Sequence, residues 1–230
     1  MFFDPLYILM VMLPTMVISG IAQAWISNAY QKWSNIPNTK RVTGQQVAQI
    51  LMREGGLARV GLEVSRGQMS DHYDPTSKTV RLSPNVATQP SVASLAIAAH
   101  EFGHVQQDQQ NSPMMALRSM LVPAAQIGPS FGIILMILGL VIGFTGLSVL
   151  GLILFAGVAV FTLVTLPVEL DASRRALKLM QNTGLLASVQ DEQGARAVLR
   201  AAAFTYVAAL LSSLLTLAYW AMVVFGSSRD

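Results

Sequence analysis

The chain alternates long uncharged stretches with polar segments. No Asp, Glu, Lys or Arg occurs in residues 5–31, 119–168 and 201–228. A helix rises about 1.5 Å per residue and needs about 20 apolar residues to cross the hydrocarbon core of a bilayer. The first and last stretches therefore each predict one span, and the middle stretch is long enough for two helices that reverse at residues 143–148. The pattern predicts four transmembrane helices.

These spans are predicted near residues 6–26, 127–145, 147–168 and 202–225. They divide the chain into a first transmembrane helix at 1–27, a polar insert at 28–126, a transmembrane hairpin at 127–168, a helical segment at 169–200, and a last transmembrane helix with its tail at 201–230. We therefore expect a mainly α integral membrane protein with one sizeable polar insert.

The polar insert mixes helical and strand patterns. Thr43 can cap a helix whose apolar residues recur at helical spacing before a Gly-Gly pair ends it. Residues 61–66 and 78–83 have the short, partly alternating pattern of strands. Ser91 can cap a second helix that runs toward Gln110. An α+β insert is therefore predicted.

The composition supports a membrane protein. Apolar residues make up 53% of the chain and charged residues only 12%, whereas roughly 25% of the residues in a typical soluble domain are charged. This balance excludes a plain cytosolic enzyme and an intrinsically disordered chain. It also excludes a nucleic-acid partner, because a nucleic-acid interface needs far more Lys and Arg than this chain carries. The lipid bilayer is the first predicted partner.

The basic residues predict an orientation in the cell membrane. Those close to span ends fall in two segments, with Lys32, Lys40 and Arg41 after the first span and Arg174, Arg175, Lys178, Arg196 and Arg200 between the third and fourth. Lys and Arg beside transmembrane helices stay on the cytoplasmic side. We therefore expect a multi-pass protein whose polar segments face the cytoplasm and whose two termini lie outside.

A cleaved signal peptide is the alternative interpretation of the first apolar stretch. The triplet at residues 22–24 resembles a small-x-small cleavage site. However, no positive charge precedes the stretch, and Asp4 stands where a signal peptide has basic residues. Trp25 and Trp33 instead fit an interfacial anchor at the end of a retained helix, which is the interpretation that we favour.

The second predicted helix of the insert carries the sequence His100-Glu101-Phe102-Gly103-His104. Residues four apart on a helix lie on nearly the same face, about 6 Å apart along its axis, so both imidazoles can bind one ion. Zinc accepts neutral imidazole ligands and activates a water molecule in catalytic sites. Glu101 lies beside this face and can take a proton from that water and later return it to a leaving amine. The pattern predicts a catalytic zinc site.

A catalytic zinc site needs a third protein ligand. The candidates are His72 and a carboxylate on the same side of the membrane, of which Glu169 is favoured because it follows the third predicted span directly. The alternative for Glu169 is an interfacial carboxylate that pairs with nearby arginines. Asp171 can hydrogen-bond a ligand imidazole as an outer partner, or it can pair with Arg174 and Arg175 at helical spacing. We slightly favour the outer-partner role.

Five features of the chain together resemble the YugP-type neutral zinc metallopeptidases of bacterial membranes. They are the N-terminal span and residues 71–75 (DHYDP), 79–83 (TVRLS), 100–104 (HEFGH) and 166–177 (LPVELDASRRAL). The resemblance covers nearly the whole chain. It implies a zinc-dependent membrane peptidase in which a zincin-like α+β catalytic insert carries the HExxH helix.

A more distant similarity is to the HtpX-like membrane gluzincins. In that family a glutamate on a later helix is the third ligand, and an aspartate usually follows four residues after it. Here Ser173 occupies the position four residues after Glu169, and the aspartate is Asp171. The similarity therefore implies a ligand role for Glu169 and carries over no role to Asp171.

In zincins a strand beside the active-site helix binds the substrate backbone by strand addition. By that analogy residues 78–83, or the stretch just before them, border the cleft. His72 and Tyr73 are then candidates for donating a hydrogen bond to the developing oxyanion. The alternatives are a turn histidine and a packed aromatic side chain.

The sequence thus predicts a membrane-embedded zinc metalloendopeptidase that cleaves peptides or membrane-protein substrates. One zinc ion per chain is bound by His100, His104 and Glu169, and Glu101 is the general base. The alternative function is a non-catalytic, zinc-stabilised membrane scaffold or chaperone, in which His72 closes a four-ligand structural site. The oligomeric state is left open.

Overall fold

A computed structural model describes residues 4–57, 60–67 and 69–226. Its helices are α1 (Pro5–Ser34), α2 (Gly44–Glu54), α3 (Pro84–Thr88), α4 (Val92–Gln109), α5 (Pro113–Val141), α6 (Thr145–Asn182) and α7 (Val189–Gly226). The strands are β1 (Gly61–Val64), β2 (His72–Asp74) and β3 (Thr79–Leu82). The described chain is therefore mostly helical, with a small sheet.

Four of the described helices, α1, α5, α6 and α7, are long and apolar enough to cross a membrane. Their number agrees with the four predicted spans, but the helices extend beyond the apolar stretches. Helix α5 begins inside the predicted insert, and α6 continues past its apolar part to Asn182. For α6, hydropathy marks only the apolar part, whereas backbone hydrogen bonding continues into polar sequence. The early start of α5 lies in largely apolar sequence. The turn between α5 and α6 spans only residues 142–144 and includes Gly143 at φ +70°.

The described residues form two compact units. The first unit contains residues 4–22, 116–167 and 205–226. Within it α5 and α6 pack closely, since a Cβ atom added to Gly151 would lie 2.5 Å from the carbonyl oxygen of Gly132. Met136, Phe155 and Trp220 are buried beside this contact. Small residues therefore allow close packing of these two helices, as small residues commonly do in membranes.

The second unit contains residues 23–57, 60–67, 69–115 and 168–204 among those described. Its sheet has the order β1-β3-β2, with β1 parallel and β2 antiparallel to β3. On one face Arg81 of β3 pairs with Glu63 of β1 and with Asp74 of β2. The sequence pattern predicted strands at β1 and β3 but missed β2, which is only three residues long and precedes an Asp-Pro turn.

Helix α4 lies in the hydrophobic core of the second unit. Leu95 and Phe102 on this helix are fully buried, and they belong to one cluster with Val47 and Leu51 of α2. Helix α2 begins at the predicted cap, where the Thr43 side chain accepts a hydrogen bond from the Gln46 backbone and the Gln46 side chain accepts one from the Thr43 backbone. The core thus buries α4 from its first turn onward.

Candidate metal centre

Helix α4 positions three of the predicted site residues. The Ser91 hydroxyl caps the helix by accepting a hydrogen bond of 3.0 Å from the Ser94 backbone. His100 and His104 then lie on one face, with their ring centroids 4.9 Å apart. His104 is buried and His100 is partly buried. The local sequence alone therefore accounts for the paired imidazoles.

Glu169 completes a cluster with the two histidines. It lies on α6 and its side chain is only 2% exposed. Glu169 Oε2 is 3.1 Å from His100 Nε2 and 3.4 Å from His104 Nε2. One nitrogen from each histidine and one carboxylate oxygen all lie within 4.8 Å of one another. The structure thus brings together the three residues that the sequence suggested as metal ligands.

The donor chemistry of the cluster and its two histidine–glutamate distances fit a zinc ion. Zinc bonds of about 2.0 to 2.1 Å in a tetrahedral arrangement place two ligand atoms about 3.4 Å apart. The nitrogen–oxygen distances of 3.1 and 3.4 Å lie at this value or slightly below it. Two imidazoles and one carboxylate also form a common ligand set of catalytic zinc sites, which keep a fourth position for water or substrate.

Gly103 explains how Glu169 reaches the histidines. A Cβ atom added to Gly103 would lie 2.9 Å from the carbonyl carbon of Ala172 and still closer to its oxygen. The backbones of α4 and α6 therefore meet directly between the two histidines. Only glycine permits this approach without displacing one of the helices.

Glu101 has the environment expected of a proton acceptor. Its side chain is buried, and burial raises its pKa while the neighbouring His100 and His104 oppose that rise. No protein group in the described part of the chain donates a hydrogen bond to its carboxylate. The carboxylate can therefore accept a proton or a hydrogen bond from a water molecule.

The two predicted oxyanion donors lie on β2. His72 is exposed, and its Nδ1 atom is 2.8 Å from the carbonyl oxygen of Ser70. Tyr73 is buried, and its hydroxyl donates a hydrogen bond of 2.7 Å to Asp108. Burial raises the pKa of Tyr73, and the Asp108 carboxylate raises it further. The suggested catalytic roles of both side chains stay predictions.

Asp171 contacts the arginines that the sequence suggested, and it reaches a ligand imidazole only through Gln107. Its carboxylate accepts hydrogen bonds from Arg174 and Arg175, and a third from the side chain of Gln107 at 3.0 Å. Gln107 in turn contacts the imidazole of His104. Asp171 is therefore linked to a proposed ligand through one intervening side chain.

Two polar residues beside the imidazoles were not identified from the sequence as site residues. Gln107 Oε1 lies 3.0 Å from His104 Nδ1, and Ser173 Oγ lies 3.3 Å from His100 Nδ1. A spacing of three residues on one helix face was the available signal for Gln107. Ser173 occupies the position four residues after Glu169, where the HtpX-like gluzincins usually have an aspartate.

Four apolar helices together with a buried His-His-Glu cluster define a membrane protein with a candidate metal centre. The chain belongs to the family described as "Putative neutral zinc metallopeptidase", whose sequence model matches residues 8–225. It is 36% identical over 213 residues to "Putative membrane protease YugP" of Bacillus subtilis (strain 168), which covers 93% of this chain and 94% of that protein. No solved structure matches the chain significantly. The resemblance to the YugP-type neutral zinc metallopeptidases is thereby confirmed.

Proposed function

We propose that the protein is an integral membrane zinc endopeptidase that cleaves membrane-associated proteins or peptides. The observation that carries this proposal is the meeting of His100, His104 and Glu169 beside the buried carboxylate of Glu101. The zinc metallopeptidase family and the membrane protease relative support it. The second unit, with its small sheet beside the histidine-bearing helix, would serve as a zincin-like catalytic insert.

The three ligand residues would hold one zinc ion per chain. A bound zinc ion supplies Lewis-acid chemistry and lowers the pKa of a water molecule that it coordinates. The burial of Glu169 and His104 keeps their ligand atoms away from bulk water. Two imidazoles and a carboxylate match the donor set that zinc accepts.

Glu101 would act as the general base and then as the general acid. Glu101 lies on the same helix turn as the two histidine ligands. No protein group in the described residues donates a hydrogen bond to its carboxylate. Glu101 would take a proton from the attacking water and deliver that proton to the nitrogen of the departing amine. A pKa raised by burial suits both roles, because a weaker acid is a stronger base.

Strand β2 is the edge of the sheet that we propose as the place where substrate binds. Strand β3 is paired on both sides and cannot accept another strand, so β1 and β2 are the two edges of the sheet. Strand β2 is the proposed edge because it contacts α4, where the Tyr73 hydroxyl donates a hydrogen bond to Asp108. A substrate backbone would therefore add to β2, the stretch just before residues 78–83, where the exposed His72 could reach it.

The chain connectivity supports substrates near the bilayer. Glu169 follows the uncharged stretch 119–168 directly and lies on the same continuous helix, α6. The proposed centre would therefore lie close to the end of the third span, and the basic residues after Glu169 favour the cytoplasmic side. Protein segments close to the membrane surface would be the natural substrates.

The decisive experiment compares wild-type protein with Glu101→Gln in lipid vesicles that contain a membrane-anchored test substrate. We expect cleavage to fall by about 10²- to 10⁴-fold, the usual contribution of a general acid–base group, while bound zinc measured by mass spectrometry is retained. Glu54→Gln is the matched control, because Glu54 is an exposed glutamate that pairs only with the neighbouring Arg53 in the described chain. Full cleavage by Glu101→Gln would contradict the proposal.

The scaffold or chaperone alternative makes the opposite prediction. It requires bound zinc in the wild-type protein, no metal-dependent cleavage, and a fourth protein ligand. The three-residue cluster does not include His72, whose Nδ1 atom contacts the Ser70 carbonyl. The described geometry therefore favours the open site of an enzyme.

A further inference from the structure

Gln107 is the most completely buried of the long polar side chains of α4, at 1% exposure. Its amide lies between the two helices that carry the proposed ligands. The oxygen faces His104 Nδ1 at 3.0 Å, and the nitrogen faces the carbonyl oxygen of Val168 at 2.8 Å and an Asp171 oxygen at 3.0 Å. Three partners on two helices thus contact a single amide.

The identity of these partners determines which way the amide points. A backbone carbonyl and a carboxylate are both acceptors, so they require the NH₂ end of Gln107. The opposite orientation would place the amide oxygen against two other oxygens. The Oε1 atom must therefore face the imidazole of His104, and this conclusion depends only on the chemistry of the partners.

The orientation of the amide determines the tautomer of His104. Because Gln107 Oε1 can only accept a hydrogen bond, the Nδ1 atom of His104 must carry the proton. With a metal ion bound, the other nitrogen, Nε2, would then be the one that ligates it. His104 Nε2 is the atom that lies 3.4 Å from Glu169 Oε2, on the side of the proposed metal position.

The same side chain links the two ligand-bearing helices. Val168 contributes the carbonyl of the peptide bond that leads into Glu169, and Gln107 Nε2 donates to this carbonyl. One amide therefore contacts the ring of one ligand and the backbone beside another. A rotation of Gln107 would disturb both His104 and Glu169.

We infer that Gln107 is a positioning residue of the metal centre, which holds His104 in the Nδ1–H tautomer and fixes Glu169 relative to it. Residues that hydrogen-bond a metal-ligating histidine orient the ring and raise its basicity, and their loss typically costs 10- to 100-fold in metal affinity. The inference rests on the proposed function for the identity of the metal.

The first test is zinc affinity, measured by chelator competition on the full chain in detergent or nanodiscs. Gln107→Met retains the length of the side chain but removes every hydrogen bond, and we expect affinity to fall by about 10- to 100-fold. Gln106→Met is the matched control on the same helix, because the Gln106 amide contacts Arg175 instead of a proposed ligand. We expect this control to bind zinc within about threefold of wild type, below the range for an outer partner of a ligand.

The second test reads the tautomer directly. The chain has only three histidines, so ¹⁵N-histidine labelling gives few NMR signals, and His104→Gln identifies the signals of His104. We expect the Nδ1–H form, with Nε2 free of a proton, in zinc-loaded wild type and a gain of the Nε2–H form in zinc-saturated Gln107→Met. A loss of packing alone would not select one nitrogen. An Nε2–H form in zinc-loaded wild type would overturn the inference.

The outcomes separate this inference from the proposed function. If His100→Ala abolishes zinc binding while Gln107→Met changes neither the affinity nor the tautomer, the positioning role is refuted and the metal site stands. If zinc affinity and tautomer respond to Gln107→Met as described but the wild-type protein cleaves no substrate, the positioning role is supported and the peptidase proposal fails.

Discussion

Two close helix contacts in this protein involve the same long helix but differ in what surrounds them. In the first unit α6 meets α5 where Gly151 contacts Gly132, and the neighbouring side chains are apolar apart from Ser148, which donates a hydrogen bond of 3.2 Å to the Met136 carbonyl. In the second unit α6 meets α4 where Ala172 contacts Gly103, and the neighbouring side chains include Gln107 and Glu169. Both contacts bring backbones together through glycine.

The difference between these contacts shows that close packing and the orientation of ligand side chains have separate causes. At the Gly132–Gly151 contact, dispersion and shape mainly set the helix spacing, and the one hydrogen bond beside it, from Ser148 to the Met136 carbonyl, directs no metal ligand. At the Gly103–Ala172 contact, hydrogen bonds also give His104 and Glu169 fixed directions. Close packing therefore provides proximity, and the buried polar groups provide the orientation that a metal centre needs.

Among the changes that test this comparison, Gly103→Ala is expected to have the largest effect on zinc affinity. The new methyl group would overlap the Ala172 carbonyl and push α4 away from α6. Overpacking of this kind costs about 1 to 3 kcal/mol of folding free energy, and we expect zinc affinity to fall by more than about 100-fold, because the displaced helix carries a ligand itself. Zinc competition and thermal unfolding measure the two effects.

Gly151→Ala is the counterpart of that change in the first unit. Its methyl group would lie 2.5 Å from the Gly132 carbonyl oxygen, so we expect a comparable loss of stability. Zinc affinity of the folded fraction should stay within about threefold of wild type. This is less than the 10- to 100-fold loss that typically follows removal of a residue that hydrogen-bonds a metal ligand. A large loss of zinc affinity in Gly151→Ala would show that the two contacts are not independent.

A smaller effect is expected from Ser173→Ala. The Ser173 hydroxyl lies 3.3 Å from His100 Nδ1, a longer contact than the one between Gln107 and His104. His100 is also the more exposed of the two histidines, so water can replace the lost partner. We expect zinc affinity to fall by at most about tenfold. A loss as large as that of Gln107→Met would show that the two imidazoles depend equally on their partners.

The smallest effect is expected from Gly157→Ala. A Cβ atom at this position on α6 would lie 3.4 Å from the Cβ atom of Ala124, an ordinary contact. Alanine favours a helix by about 0.5 to 1 kcal/mol over glycine. The thermal midpoint should therefore stay unchanged or rise slightly, and zinc affinity should not change. A marked destabilisation would show that α5 and α6 tolerate no added volume at this position.

Much of the fold could be predicted because its signals are local. The uncharged stretches indicate the four long helices, and Thr43 and Ser91 mark the starts of α2 and α4. Strand β2 escaped prediction because three residues carry almost no periodic signal and depend on pairing with β3 for their conformation. The start of α5 at Pro113 was missed although residues 113–126 are largely apolar, because Pro123 and Pro129 favour a helix boundary in the sequence pattern. The continuity of α6 past residue 168 was missed because that part is polar sequence, which hydropathy does not assign to a span.

The candidate site was only partly predictable, for a similar reason. The spacing of His100 and His104 follows from helix geometry alone. Gln107 stands among several glutamines near the end of α4, and helical spacing from His104 was the only feature that distinguished it. Its two contacts with α6 could not be inferred, because they depend on where the second helix lies.

Local patterns in the amino-acid order thus specified the long apolar helices, the α+β character of the insert and the paired imidazoles, since each depends on residues a few positions apart. The tertiary structure decided that Glu169 meets the histidines, that Gly103 permits the contact, and that Gln107 rather than Asp171 touches His104. These relations join residues distant in sequence, and their energies arise only when two helices pack at a particular position and angle.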